Sequence, residues 1–572
     1  MHDLVIRGGT IIDGTGADRF TGDLAVDDGV ITQVGGKAGA ASREIQADGL
    51  LVTPGWVDVH THYDGQATWD PELASSSWNG STTILFGNCG VGFAPVRTEH
   101  HEALIDLMEG VEDIPGIALA EGLDWDWESF PEYMDALERR DRVIDVAAQM
   151  PHHALRVYVM GERAIRHELA TSEDIEIMAR LTGEAIQAGA FGFTTSRTDS
   201  HKTTSGDFVP GRYSGTDELV GIGRELGRLG AGVFGLISDF EDEDAEFEWM
   251  TKLSAETGRP FWFLLTDRGT DPQRWRRLIA GAKAAEKQGA SITAQVAGRP
   301  VGLVLGLTTS LTPFSVRSTF RELDDLSAED KLARLRDPEV KRAILGEEVS
   351  DRLLKVLPPL TQAIATRWDR MYVLGDPPNY EPTQDQSVAA LAERAGKSPE
   401  EFAYDYLVGG DGNAKFLFPV TNYVTGDLEP VREMITNPDT VLGLSDGGAH
   451  CGIICDASVP SFMLSHWGRD RSRGERLPVE WLVKKQTADT ADFFGFKDRG
   501  RLQPGKKADV NLIDFEKLQP RAPEIVNDLP AGGKRLIQKV DGYAATIVSG
   551  ETIFERGVAT GARPGKLVRA GR

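Results

Sequence analysis

The chain has 572 residues, too many for one small core, so two or three domains or one barrel-sized domain with additions are expected. Its 62 Lys plus Arg against 88 Asp plus Glu leave a formal charge of -26, which argues against a nucleic-acid backbone or an anionic membrane surface as partner. Three cysteines, Cys89, Cys451 and Cys455, are too few for a disulfide framework at this length. With no bilayer-length apolar run and no basic-then-apolar leader at the N-terminus, a cytoplasmic location is expected.

In chain order, residues 3–36 are short β-rich runs broken by Gly and Asp turns, and the same texture returns at 508–552. Neither end makes a stable sheet alone. Pairing them predicts a small β-sandwich built from residues 1–52 and 497–572, with residues 53–496 inserted between. That insert alternates short apolar runs with helical stretches, the pattern of parallel βα units. Strands are expected at 55–60, 81–89, 143–150, 190–196, 232–238, 260–265, 291–297 and 440–446. Such a series predicts a (β/α)8 TIM barrel, whose reactive residues gather at the C-terminal strand ends. Two excursions break the rhythm. Residues 98–140 are placed to be a lid, and 303–438 read as largely helical, with 376–402 as a surface connection. No internal repeat or low-complexity segment appears.

The stretch "PGWVDVHTHYD" at 54–64 sets His60 and His62 one residue apart at the end of the first strand, where an extended chain turns both to one side. Alone, such a pair is more often two core histidines than a metal site. Cys89 at the next strand end and Asp446 at the last one change the balance, because imidazole, thiolate and carboxylate are the donors zinc takes. An incomplete protein set also leaves room for water, as a catalytic site requires.

"PGWVDVHTHYDG", "STTILFGNCGVGFAP", "LSDGGAH" and "LQPGKKADVNLID" together resemble the amidohydrolase superfamily, in particular its D-aminoacylase branch, over essentially the whole chain. The resemblance implies a metal-dependent hydrolase on a (β/α)8 barrel with a sandwich made by both termini. It implies His60, His62, Cys89 and Asp446 as metal ligands, with Asp446 also the catalytic acid/base, and a small-molecule substrate, an N-acyl-amino acid or related acylated amine. Two departures stand out. Where the branch has histidines ending strands five and six, this chain has Ile237 or Ser238 and Leu265, and no lysine ends strand four. One zinc ion rather than two is therefore expected.

His201, in the loop after strand four, is a candidate catalytic replacement, as ligand or as hydrogen-bond donor, with His152 and His153 on the same face; a surface or loop-packing histidine is the other reading of each. Arg156, Arg197, Arg268 and His153 are candidate substrate-binding residues. Asp239 and Asp267 would approach the metal or cap helices, and Cys451 and Cys455 read as buried thiols. Trp125, Trp127 and Phe130 would meet an apolar substrate part or pack a helix. Two other functions fit the same residues: ring opening of a cyclic amide, imide or lactone, and a catalytically silent scaffold. Self-association stays open.

Overall fold

The structure is a computed structural model that describes residues 1–269, 271–349 and 357–571. The β-rich ends do pair. β1 (His2–Ile11), β2 (Phe20–Asp27), β3 (Val30–Val34), β4 (Ala41–Gln46) and β5 (Leu51–Pro54) join strands Val510–Ile513, Tyr543–Val548, Glu551–Glu555 and Val558–Ala559 in one nine-stranded sheet. Val510–Ile513 lies between β5 and Tyr543–Val548, so each end of the chain completes the other. Alternating Leu4, Ile6, Leu24, Val26, Val510 and Leu512 form its apolar core.

The middle of the chain supplies β6 (Trp56–Asp58), β7 (Ser81–Phe86), β8 (Asp145–Ala148), β9 (Met150–Pro151), β10 (Gly192–Arg197), β11 (Val233–Ser238), β12 (Phe261–Leu265) and β13 (Ile292–Val296). After an insert carrying β14 (Val301–Gly306), β15 (Tyr372–Leu374) and β16 (Lys415–Thr421), β17 (Thr440–Leu442) follows. Each run expected as a strand contains one. β6–β7–β8 and β9–β10–β11–β12–β13–β17 are two parallel sheets, with Gln149 alone between β8 and β9. A parallel bridge of Thr61 to Gly447 joins the far edges, with the Asp446 amide donating to His60 O at 3.1 Å and the His62 amide to Gly447 O at 2.8 Å.

Side chains alternate along these strands, and their partners show which face is which. Phe261 and Phe263 of β12 pack on Phe234, Trp249, Phe240 and Phe247, toward the helices. Trp262 turns the other way and meets the His60 ring edge-on, with 5.6 Å between centroids. Leu264 shares the Trp262 face by the two-residue period, and Leu265 does not. The inward strand-six residue is thus Leu264, a correction of one place. On β11, Ile237 shares a face with Gly235, whose added Cβ would strike the Trp262 ring, whereas Ser238 donates outward to Glu246.

Both excursions hold more than expected, although 303–438 is largely helical among its described residues and 98–140 does reach His62 through Glu112. Residues 303–438 hold an antiparallel sheet, β14–β16–β15, and a second apolar core around Leu305, Phe314, Trp368, Tyr404 and Phe416. The 376–402 stretch is no mere connection, since it contains the helix Val388–Ala395 and buries Tyr380 and Glu381. Residues 98–140 form α1 (His101–Glu112), α2 (Gly116–Gly122) and α3 (Phe130–Glu138), packed down rather than hinged. Trp127 donates to Phe93 O at 2.8 Å, Tyr133 to Asp64 O at 2.6 Å, and Phe130 is buried with them, so these aromatics pack the excursion. Trp125 stacks on His101 at 3.8 Å. No helix among the described residues is long and apolar enough to cross a membrane.

Candidate metal centre

His60 and His62 leave the end of β6, Cys89 the loop after β7, and Asp446 the loop after β17. Cys89 and Asp446 have φ of 55° and 47°, left-handed values that cost a non-glycine residue roughly 1–3 kcal/mol each. Close packing enforces the Cys89 turn: at Gly87 (φ 79°) a Cβ would sit 2.3 Å from Gln149 O. The side chains converge. Cys89 Sγ lies 3.5 Å from His60 Nε2 and 3.8 Å from His62 Nε2, and Asp446 Oδ1 lies 3.6 Å from both nitrogens. The donor atoms of His60, His62 and Cys89 all fall within 4.8 Å of one another, and Asp446 approaches the same imidazole pair.

Proton positions test whether a cation fits. His60 Nδ1 is 2.5 Å from Gln295 Oε1, an acceptor, so the ring proton sits on Nδ1 and Nε2 carries a lone pair. His62 Nδ1 faces Glu112 Oε1 at 3.3 Å without meeting hydrogen-bond geometry, while its Nε2 turns to Cys89 and Asp446. Burial holds both rings neutral, with pKa values lowered to about 4 and about 3. Two imidazole nitrogens, a sulfur and a carboxylate oxygen therefore face one another, and Asp446 Oδ1 has no hydrogen-bond partner. Burial, reinforced by Glu112, Asp446 and Asp64, pushes the Cys89 thiol far up. Among the described residues the ion-pair partners of Glu112 and Asp446 are histidines alone. A divalent cation relieves all of these at once: it accepts the lone pairs, stabilises the thiolate and balances the carboxylates. The residues fit a metal.

Three neighbours are not singled out by the sequence, although His450 ends the "LSDGGAH" stretch. Gln295 of β13 holds His60, and a lone amide in the apolar run "SITAQVA" was its only signal. Glu112, at the end of α1, is 1% exposed and spans His62 Nδ1 and His450 Nε2, the latter at 3.5 Å. His450 donates its amide to Glu112 O. Burial, with Asp446 and Asp64 nearby, raises the Glu112 carboxyl well above its ordinary value. Because carboxylates behind ligating imidazoles tune metal affinity, Glu112→Gln is expected to weaken metal binding about 10- to 100-fold in competition with a chelator. Unchanged affinity would make the contact mere packing.

The remaining candidates scatter. His201 is part-buried with Nδ1 2.9 Å from Ser196 Oγ, and burial with the neighbouring His450, His62 and His60 lowers its pKa to about 3. His153 is fully buried with both nitrogens engaged, by Gly211 N and Ser196 Oγ, so the expectation that it binds substrate is corrected. Arg156 is likewise corrected: it is 1% exposed, spending its guanidinium on Glu218 and Glu168 O. Arg197 pairs with Glu246 at 3.2 Å and Arg268 with Asp239 at 2.7 Å, both part-exposed. Asp239 is thereby committed, with Thr198 as a second partner. Asp267 is buried against Asn422, and its amide donates to the Asn422 side-chain oxygen. His152 is locked between Thr195 and Glu218. Cys451 and Cys455 are free and buried.

The sequence pattern of the amidohydrolase family matches residues 43–554. D-aminoacylase of Alcaligenes xylosoxydans xylosoxydans is 25% identical over 99% of this chain and 97% of its own length. The solved N-acyl-D-glutamate deacylase of Bordetella bronchiseptica, complexed with zinc and a phosphonate mimic of the tetrahedral intermediate, is 25% identical, with full coverage of both chains and a TM-score of 0.63. A solved D-aminoacylase with a binuclear metal centre shares the fold at 21% identity, full coverage of both chains and a TM-score of 0.65.

Proposed function

The chain belongs to the amidohydrolase family and is a metal-dependent hydrolase of amide carbon–nitrogen bonds; we propose that it deacylates N-acyl-amino acids or related acylated amines, with one zinc ion and Asp446 as acid/base. One observation carries the reading: two imidazole nitrogens, a thiol and an unpartnered carboxylate oxygen face one another at the strand ends of a family member. We read the two parallel sheets as the arcs of one (β/α)8 barrel over residues 53–496. In the same reading the nine-stranded sheet belongs to a sandwich domain of residues 1–52 and 497–572, and free buried thiols suit a reducing cytoplasm.

His60, His62 and Cys89 would hold the ion, with Asp446 beside it. When bound there, a divalent metal would lower the pKa of water toward neutrality and polarise an amide carbonyl. Asp446 takes the proton of the attacking water and returns it to the leaving nitrogen, so the amide breaks into a carboxylic acid and an amine. The left-handed turn at Asp446 and its amide bond to His60 O aim that carboxylate at the imidazole pair. Arg197 and Arg268, part-exposed, remain the cations for a substrate carboxylate, each by exchanging its present partner.

A panel of N-acyl-D- and N-acyl-L-amino acids, uncharged acyl amines and cyclic imides tests this, with release of free amine as the readout. Turnover confined to cyclic substrates, with no second product, would move the assignment to ring opening. No turnover of any member by zinc-loaded protein would favour the scaffold.

A further inference from the structure

His201 sits at the end of a short chain of hydrogen bonds that fixes where its proton lies. The backbone N–H of Gly211 reaches His153 Nδ1 at 3.1 Å. An amide can only donate, so Nδ1 is the acceptor and neutral His153 carries its proton on Nε2. Burial and the neighbouring His152 and His201 hold that ring neutral. His153 Nε2 lies 3.0 Å from Ser196 Oγ, which accepts from it. The Ser196 hydroxyl proton then goes to its other neighbour, His201 Nδ1, at 2.9 Å. His201 Nδ1 is thus an acceptor, and the neutral ring keeps its proton on Nε2. The opposite tautomer would aim the N–H groups of both rings at one hydroxyl and leave its proton without either ring nitrogen as acceptor.

We propose that His201 is a hydrogen-bond donor to the carbonyl oxygen of the scissile amide and not a metal ligand, with Ser196 and His153 as positioning residues that lock its tautomer. The proposal rests on the amide-hydrolase reading and deepens it. A protonated Nε2 has no lone pair for a cation, but it meets the charge that grows on the carbonyl oxygen as water adds and the C=O π pair moves onto oxygen. The proton stays on His201 throughout. Loop geometry agrees: His201 follows β10, whose inward Ser196 pairs in register with Ile237, where the metal-binding imidazole of strand five is missing.

The test uses zinc-loaded protein labelled with 15N-histidine, with His201→Gln to assign the signal. A protonated Nε2 and a bare Nδ1 at His201 are expected, and loss of that pattern in Ser196→Ala. His201→Ala is expected to keep its metal by elemental analysis while kcat falls at least about tenfold with a smaller change in KM, and His201→Gln, which returns an N–H near the Nε2 position, to recover part of the loss. Metal loss in His201→Ala, a proton on Nδ1, or unchanged kcat would each overturn the proposal. Wild-type protein that hydrolyses no N-acyl substrate would sink the functional reading instead, since tautomer and metal content are measured on samples without substrate.

Discussion

Asp446→Asn is expected to keep most of its metal and to lose about 100-fold or more in kcat. The substitution is nearly isosteric, and asparagine tolerates the left-handed backbone (φ 47°) that Asp446 adopts, so the turn should survive. His60, His62 and Cys89, with donor atoms within 4.8 Å of one another, remain to hold the ion. What disappears is a carboxylate oxygen that no protein donor satisfies. A buried acceptor left open at a reaction centre is costly to keep unless the reaction uses it. Activity and elemental analysis on the same preparation separate the roles: full turnover would make Asp446 structural, and loss of metal would make it a principal ligand.

The features that sequence shows well are those with a local cause. Runs such as "STTILFGNC" are apolar enough to be buried on both faces, and that alone places β7. His60, His62, Cys89 and Asp446 are visible because each ends such a run and because their flanking residues resemble a known family. Glu112 has neither advantage. In "LMEGVED" it looks like one more solvated acid on an acidic helix, and only the fold carries it 50 positions in sequence to His62, and farther to His450. The 98–140 excursion does reach the site, through Glu112, as its expected placement over the site requires; what the sequence did not show is that Trp127 and Tyr133 tie it to Phe93 O and Asp64 O. Leu265 was one place off because a five-residue apolar strand does not show which parity faces inward. Trp262 against His60 settles it.

His60→Ala is expected to abolish both metal binding and activity, while the unaltered protein carries one equivalent of zinc per chain. His60 is fully buried, its Nδ1 held by Gln295 and its Nε2 offered to Cys89 and Asp446, so alanine removes a donor that nothing nearby replaces. The single equivalent follows from the opposite wall. Ile237 on β11 and Leu264 on β12 present hydrocarbon where a second ion would need nitrogen, and an unliganded cation beside apolar side chains is strongly disfavoured. Because the alanine also leaves a void against Trp262, the matching control is wild-type protein stripped by a chelator. It should show the same loss of turnover with its fold intact, and zinc added back to one equivalent should restore the rate. Saturation of activity only at two equivalents, or a pair of cations about 3.5–4 Å apart in a metal-loaded crystal, would overturn the single-ion centre and require ligands beyond His60, His62, Cys89 and Asp446.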